Sequence, residues 1–152
     1  MSVIVYIESE ENKIKKASLE AVSYAKKISE SLKKDLIAVS FNLTDFSILN
    51  NHGVDKLYNI SDEKLKVFEV NAYSNNLLNL FNKLKPEIVV ITSSANSRYL
   101  GPILASKIDS AYMSNVVSLP ISYSPFSVKR SCFTNKAFNE TFTKKSTVVL
   151  SL

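Results

Sequence analysis

Short β-branched apolar runs alternate with long amphipathic segments through the first 110 residues, and this alternation constrains the fold more than any other feature. Val3, Ile4, Val5 and Ile7 lie in a nearly unbroken apolar run at 2–8, the pattern of a strand buried on both faces of a parallel sheet. Residues 36–41 and 87–92 repeat that pattern, and 55–60 reads as a third strand between them. After a polar turn at 9–13, Ala17, Ala21, Tyr24, Ala25, Ile28 and Leu32 recur at helical spacing, which predicts a helix over 16–33. Val70, Tyr73, Leu77, Leu80, Phe81 and Leu84 form a second stripe, stopped by Pro86. Leu100, Ile103, Leu104 and Ile108 mark a third helix. A helical turn is expected at 45–51, closed by Gly53 in a left-handed cap. Strands alternating with helices in this way predict a parallel sheet. The last forty residues change character, with strands expected at 116–121, 128–133, 137–142 and 147–150. Pro120 and Pro125 confine that part to edges and loops. The expected fold class is α/β, a three-layer parallel sheet core extended by antiparallel C-terminal strands. Residues 1–152 are expected to form one domain without repeat or linker, a length that needs no disulfide or metal staple.

Two glycines, Gly53 and Gly101, are too few for any glycine-rich phosphate cradle, so neither dinucleotide fingerprint nor P-loop is present. One cysteine, Cys132, and one histidine, His52, cannot build a disulfide or a zinc site. No stretch approaches the ~20 apolar residues of a membrane span, and no signal-peptide pattern precedes the first apolar run. A cytoplasmic protein without membrane insertion is therefore expected. The net charge of +5 comes from seventeen lysines and two arginines, Arg98 and Arg130, against fourteen acids. Base readout favours bidentate arginine, and the lysines are dispersed, so a solvated lysine surface is expected rather than nucleic-acid binding.

One loop carries candidate chemistry. Thr92, Ser93, Ser94, Ala95, Asn96, Ser97 and Arg98 leave the carboxyl end of a strand and enter a helix. Ligands of open α/β sheets bind at strand carboxyl ends, and helix amino ends offer free N–H groups to anions. Ser93, Ser94, Ser97 and Arg98 could thus cup a phosphate, or the same residues could cap the helix. Arg130 and Lys136, in the strand-rich tail, are candidates for a partner's carboxylate or phosphate, or for a solvated strand face. His52 reads as structural and Cys132 as a small packed residue. Glu8, Glu10 and Glu11 are expected to crowd an exposed turn. No catalytic constellation is visible, so no catalytic or metal residues are assigned.

Ordered short segments carry a family resemblance along the whole chain. The strand at 3–8 followed by Lys13-Ile14-Lys15-Lys16-Ala17-Ser18-Leu19-Glu20-Ala21 resembles the opening strand and "G-K-L-K-x-A-S-L-E-A" turn and helix of the electron transfer flavoprotein alpha subunit. Gly53-Val54-Asp55-Lys56-Leu57 is similar to its "G-A-D-K-V", Lys85-Pro86-Glu87-Ile88-Val89-Val90 to "K-P-D-V-V", and Met113-Ser114-Asn115-Val116 to "L-V-S-D-V". Three family glycines are replaced, by Asn12, Ser97 and Asn135, and the family's acid after the fourth strand is Tyr99. In the family's "R-P-x-Y-A-G-K-A", Arg130, Lys136 and Ala137 match while its proline, tyrosine and glycine do not.

The resemblance implies the amino-terminal domain of that alpha subunit, with an adenine nucleotide alpha hydrolase-like core. It implies an electron carrier component rather than an enzyme, a scaffold that pairs with a beta subunit. In the complete heterodimer FAD lies mainly in the alpha subunit's second domain, which would follow beyond Leu152, and AMP lies in the beta subunit. No FAD is expected on this chain alone. Electrons would pass from acyl-CoA-type dehydrogenases of fatty acid beta-oxidation to a quinone oxidoreductase of the respiratory chain, in a bacterial cytoplasm. The alternative is a free-standing adenine-nucleotide-binding α/β domain using Ser93 to Arg98. A basic nucleic-acid binder is the third reading.

Overall fold

A computed structural model describes residues 2–152. Its chain order is β1 (Val3–Ile7), β2 (Ser9–Glu10), β3 (Lys13–Ile14), α1 (Lys16–Leu32), β4 (Leu36–Phe41), α2 (Ser47–Asn51) and β5 (Lys56–Ile60). A 3-10 turn (Glu63–Leu65), α3 (Val70–Leu84), β6 (Ile88–Ile91), α4 (Ala95–Lys107) and β7 (Ala111–Met113) follow. The tail holds β8 (Ser122–Tyr123), β9 (Phe126–Cys132), β10 (Ala137–Thr143) and β11 (Val148–Ser151).

Six strands form one sheet in the order β5-β4-β1-β6-β11-β7, and every neighbouring pair is parallel. Side chains alternate across it. Val3, Val5 and Ile7 of β1 pack with α1, while Ile4 and Tyr6 pack with α3 and α4. Connections that run from β1 leftward to β5 place α1 and α2 on one face. Those running rightward from β5 to β7 place α3 and α4 on the other. Right-handed crossovers require this change of face when the direction of travel reverses. The antiparallel sheet β10-β9-β8 lies on the α1 side, where Phe126 and Val128 join the same apolar core as Val5 and Leu150. The expected three-layer α/β class with antiparallel C-terminal strands is the observed one.

Within that class several elements sit differently from expectation. The last strand, β11, does not join the antiparallel tail; it returns to the core between β6 and β7, and all four of its residues are buried. Residues 116–121 form no named strand. Val116 makes an isolated antiparallel bridge to Arg130, and the Val117 and Ile121 amides donate to Lys129 and Ser127 carbonyls at 3.0 and 2.8 Å. Pro120, which has no N–H, interrupts the ladder between them. The loop after β6 is shorter than its composition suggests, because α4 already begins at Ala95. The turn at 9–13 is a small hairpin, with Glu11 and Asn12 at φ 48° and 61° as its left-handed corner.

Candidate functional site

The carboxyl edge of the sheet next to β1 and β6 gathers most of the residues with chemical potential. Ile4, Tyr6 and Glu8 share one side of β1 and its extension, so a strand period of two carries a carboxylate onto the α3–α4 side. Thr92 follows β6 directly, and Ser94 and Ser97 open α4. The three hydroxyls converge on one atom. Thr92 Oγ1 and Ser94 Oγ donate to Glu8 Oε1 at 2.8 and 2.7 Å, and Ser97 Oγ donates to the same oxygen. Ser94 Oγ also accepts from the Ser97 amide at 3.1 Å, which makes it the cap of α4. Glu8 is only 5% exposed and Ser97 is fully buried. Three hydroxyl donors and the positive end of the α4 dipole thus face a single carboxylate.

The backbone on both sides of the carboxylate is fixed as well. Ser18 Oγ accepts from the Glu8 amide at 2.9 Å, and the Lys15 amide donates to the Glu8 carbonyl at 3.0 Å. On the far side, Ser151 Oγ of β11 donates to the Thr92 carbonyl at 2.9 Å. Glu8 therefore joins β1, β6, β11 and the first turns of α1 and α4. The expectation that Glu8 crowds an exposed turn is corrected: Glu10 and Glu11 are exposed, and Glu8 is inside. The signal was the alternation Ile4, Tyr6, Glu8. A buried side of a strand that ends in a carboxylate must find donors, and the next strand end is rich in hydroxyls.

Beside this cluster opens a cleft of about 650 Å³. Its aromatic lining comes from Tyr6, Phe41, Phe68 and Tyr73; the Phe41 and Tyr73 rings lie 4.1 Å apart, and Tyr73 meets Phe68 edge-on at 4.9 Å. Tyr73 donates its hydroxyl to the Leu65 carbonyl at 2.7 Å. Burial, and then the nearby Glu8 charge, pushes the Tyr6 hydroxyl well above the usual phenol range and raises Tyr73 too. Both rings remain neutral hydrogen-bonding groups at physiological pH. Lys15 and Lys66 line the cleft, and each already faces a carboxylate, Glu10 at 3.7 Å and Glu63 at 2.7 Å.

Of the residues singled out in the sequence, Ser94 and Ser97 come together on Glu8. Ser93 contributes its carbonyl, which accepts from Arg98 Nε at 3.1 Å on the exposed surface of α4. Arg130 lies elsewhere, half-buried in β9. Its guanidinium donates to the Ser114 carbonyl at 2.6 Å and to Ser114 Oγ at 2.9 Å, fastening the antiparallel sheet to the segment after β7. Lys136 is exposed in the turn between β9 and β10. Cys132 donates to the Ala137 carbonyl at 3.4 Å, and His52 ends α2. No group of three or more His, Cys, Asp or Glu among the described residues could hold a metal ion, and no described helix is long and apolar enough to cross a membrane. Of the four candidate anion-binding residues at the amino end of α4, the Ser94 and Ser97 hydroxyls are committed to the Glu8 carboxylate, while Ser93 and Arg98 lie outside that cluster.

Comparison with known proteins shows a match over residues 3–152 to the family model described as electron transfer flavoprotein domain. The chain is 32% identical over 122 residues to the electron transfer flavoprotein subunit alpha of Clostridium acetobutylicum, a match that covers 78% of this chain and 36% of that protein. The alpha subunit of Bacillus subtilis is 23% identical, over 90% of this chain and 42% of its own length. The acryloyl-CoA reductase electron transfer subunit beta of Anaerotignum propionicum is also 23% identical, over 80% of this chain and 34% of its own. The chain thus spans roughly two-fifths or less of the curated relatives it matches.

Proposed function

The chain belongs to the electron transfer flavoprotein family, of the alpha-subunit type, and on that premise we propose that it is the amino-terminal scaffold domain of an electron carrier. The observation that carries this reading is the family match along essentially the whole described chain. In it the chain pairs with a beta subunit, FAD is held mainly by the remaining part of the alpha subunit, and AMP by the beta subunit. Electrons enter from acyl-CoA-type dehydrogenases and leave toward the respiratory chain in the cytoplasm. This chain supplies surface and rigidity and carries no catalytic group of its own.

The outer face of the antiparallel sheet supports the pairing. Phe138 and Phe142 of β10 are 57% and 66% exposed, and Phe133 at the neighbouring turn is 79% exposed. Val117 and Leu119 add to the exposed apolar surface. Lys129 reaches over the Phe138 ring at 4.4 Å, leaving its charge at the face. Exposed aromatic side chains grouped in this way mark a surface that a partner covers.

The test is direct binding of the purified chain to the beta subunit of the same organism, measured by calorimetry. A one-to-one complex is expected, weakened at least about tenfold by the double variant Phe138→Ser, Phe142→Ser. Absence of any complex with the native chain would overturn the pairing. An undiminished affinity in the double variant would place the partner elsewhere.

A further inference from the structure

We propose that Glu8 is a resident anion, a side chain that closes the amino end of α4 to phosphates and makes the adjoining cleft reject anionic ligands. In open α/β sheets this position, outside the carboxyl end of a strand and at the start of a helix, is where phosphates bind. Here Glu8 Oε1 holds the hydroxyls that open this helix. It receives the hydroxyls of Thr92, Ser94 and Ser97, and the side chain is almost wholly buried.

Glu8 is not a gate that swings aside. Its amide and carbonyl are both tied to the start of α1, through Ser18 and Lys15, so moving its backbone would unfasten the β1–α1 connection. A phosphate arriving at the same hydroxyls would meet a buried carboxylate at close range, where like charges repel far more than in water. The rest of the cleft does not compensate. Its two lysines, Lys15 and Lys66, face Glu10 and Glu63, and Glu11 brings further negative charge to its wall. What remains is an uncharged polar wall from Asn12, Asn42, Thr44 and Ser61, over a largely buried aromatic floor of Phe41 and Tyr73.

This inference does not depend on the pairing with a beta subunit, and its test reads a different quantity. The isolated chain is titrated with inorganic phosphate while the backbone amides of residues 94–98 are followed by NMR. In the native chain these resonances are expected to stay unperturbed through the millimolar range. In Glu8→Ala, phosphate is expected to shift them saturably and to raise the melting temperature, and the added variant Ser97→Ala should abolish the effect. Saturable perturbation of those amides in the native chain would overturn the proposal. A folded Glu8→Ala that ignores phosphate would overturn it too. Should Glu8→Ala not fold in phosphate-free buffer, its refolding yield against phosphate concentration becomes the measurement. Recovery of the native spectrum supports a replaceable anion, and failure to recover at any concentration overturns it.

Discussion

Gly101 shows why a residue type can matter through packing alone. It lies in the interior of α4, where alanine would normally be the better helix former by about 1 kcal/mol. A Cβ at this position would stand 2.6 Å from Tyr112 Cε2 and 2.7 Å from Ile91 Cδ1, both inside the layer between α4 and the sheet. Neither neighbour is a free surface side chain, since Ile91 is fully buried and Tyr112 packs against the same core. The overpacking cost of about 1–3 kcal/mol therefore outweighs the helix gain. Gly101→Ala is expected to lower the urea midpoint with little change in slope, and an unchanged or raised midpoint would show that α4 can move off the sheet. The glycines that the family has and this chain lacks divide by the same logic. Asn12 and Asn135 hold φ of 61° and 63°, a left-handed geometry that asparagine tolerates better than most residues, so the turns survive the exchange. Ser97 sits instead in the first turn of α4, where its hydroxyl reaches Glu8. That contact was not legible from the loop alone, because its partner lies 89 positions earlier in the chain.

Among the elements, α3 has the clearest start signal and a pH-dependent one. Glu69 is its cap, and its carboxylate accepts from the Asn71 and Ala72 amides at 2.9 and 2.6 Å. These backbone hydrogen bonds hold the Glu69 carboxyl below the usual glutamate range. With the folded value lowered, the stability it contributes is complete above the ordinary carboxylate range and is lost as pH falls through the folded value. Glu69→Gln is expected to reduce thermal stability near neutrality and to flatten its decline on acidification, whereas parallel acid limbs in the two proteins would exclude the cap as the cause. Helices of this kind were readable because their information is local: a stripe at 3.6-residue spacing, then Pro86 after Lys85 in the left-handed cap position. The longer strands were readable as strands and not as neighbours, whereas the expected strand at 116–121 does not form and the short β7 and β8 went unread. The run Val148, Val149 and Leu150 is buried throughout, unlike β10, where Phe138, Asn139, Glu140 and Phe142 are exposed and only Ala137, Thr141 and Thr143 are partly covered. Such an unbroken run belongs to a strand covered on both faces, a distinction that local propensity leaves to the sheet as a whole.

Across the whole molecule, that last strand decides whether the antiparallel sheet is an appendage or part of the core. Between β6 and β11 every residue of β7 and of the antiparallel sheet intervenes in sequence, yet β11 pairs with β6 on one side and β7 on the other. Its side chains divide between the two core layers, Val148 and Leu150 toward α1 and Val149 toward α4. On the α1 side Leu150 shares a cluster with Val90 of the central sheet and with Phe126 and Val128 of β9. The Val116 amide donates to the Ser151 carbonyl at 3.0 Å, and Arg130 clamps Ser114, so the outer sheet is bound to the core by backbone and side chain alike. We propose on these grounds that the chain unfolds as one unit. Leu150→Ala removes a fully buried side chain from the point where the layers meet, at a cost of about 2–5 kcal/mol. Methyl resonances of Val90 and Val128 report the central and outer sheets separately, and the variant is expected to shift both denaturant transitions together by that amount. Two separated transitions, with Val128 lost first, would make the antiparallel sheet an independent unit resting on a core that holds without it.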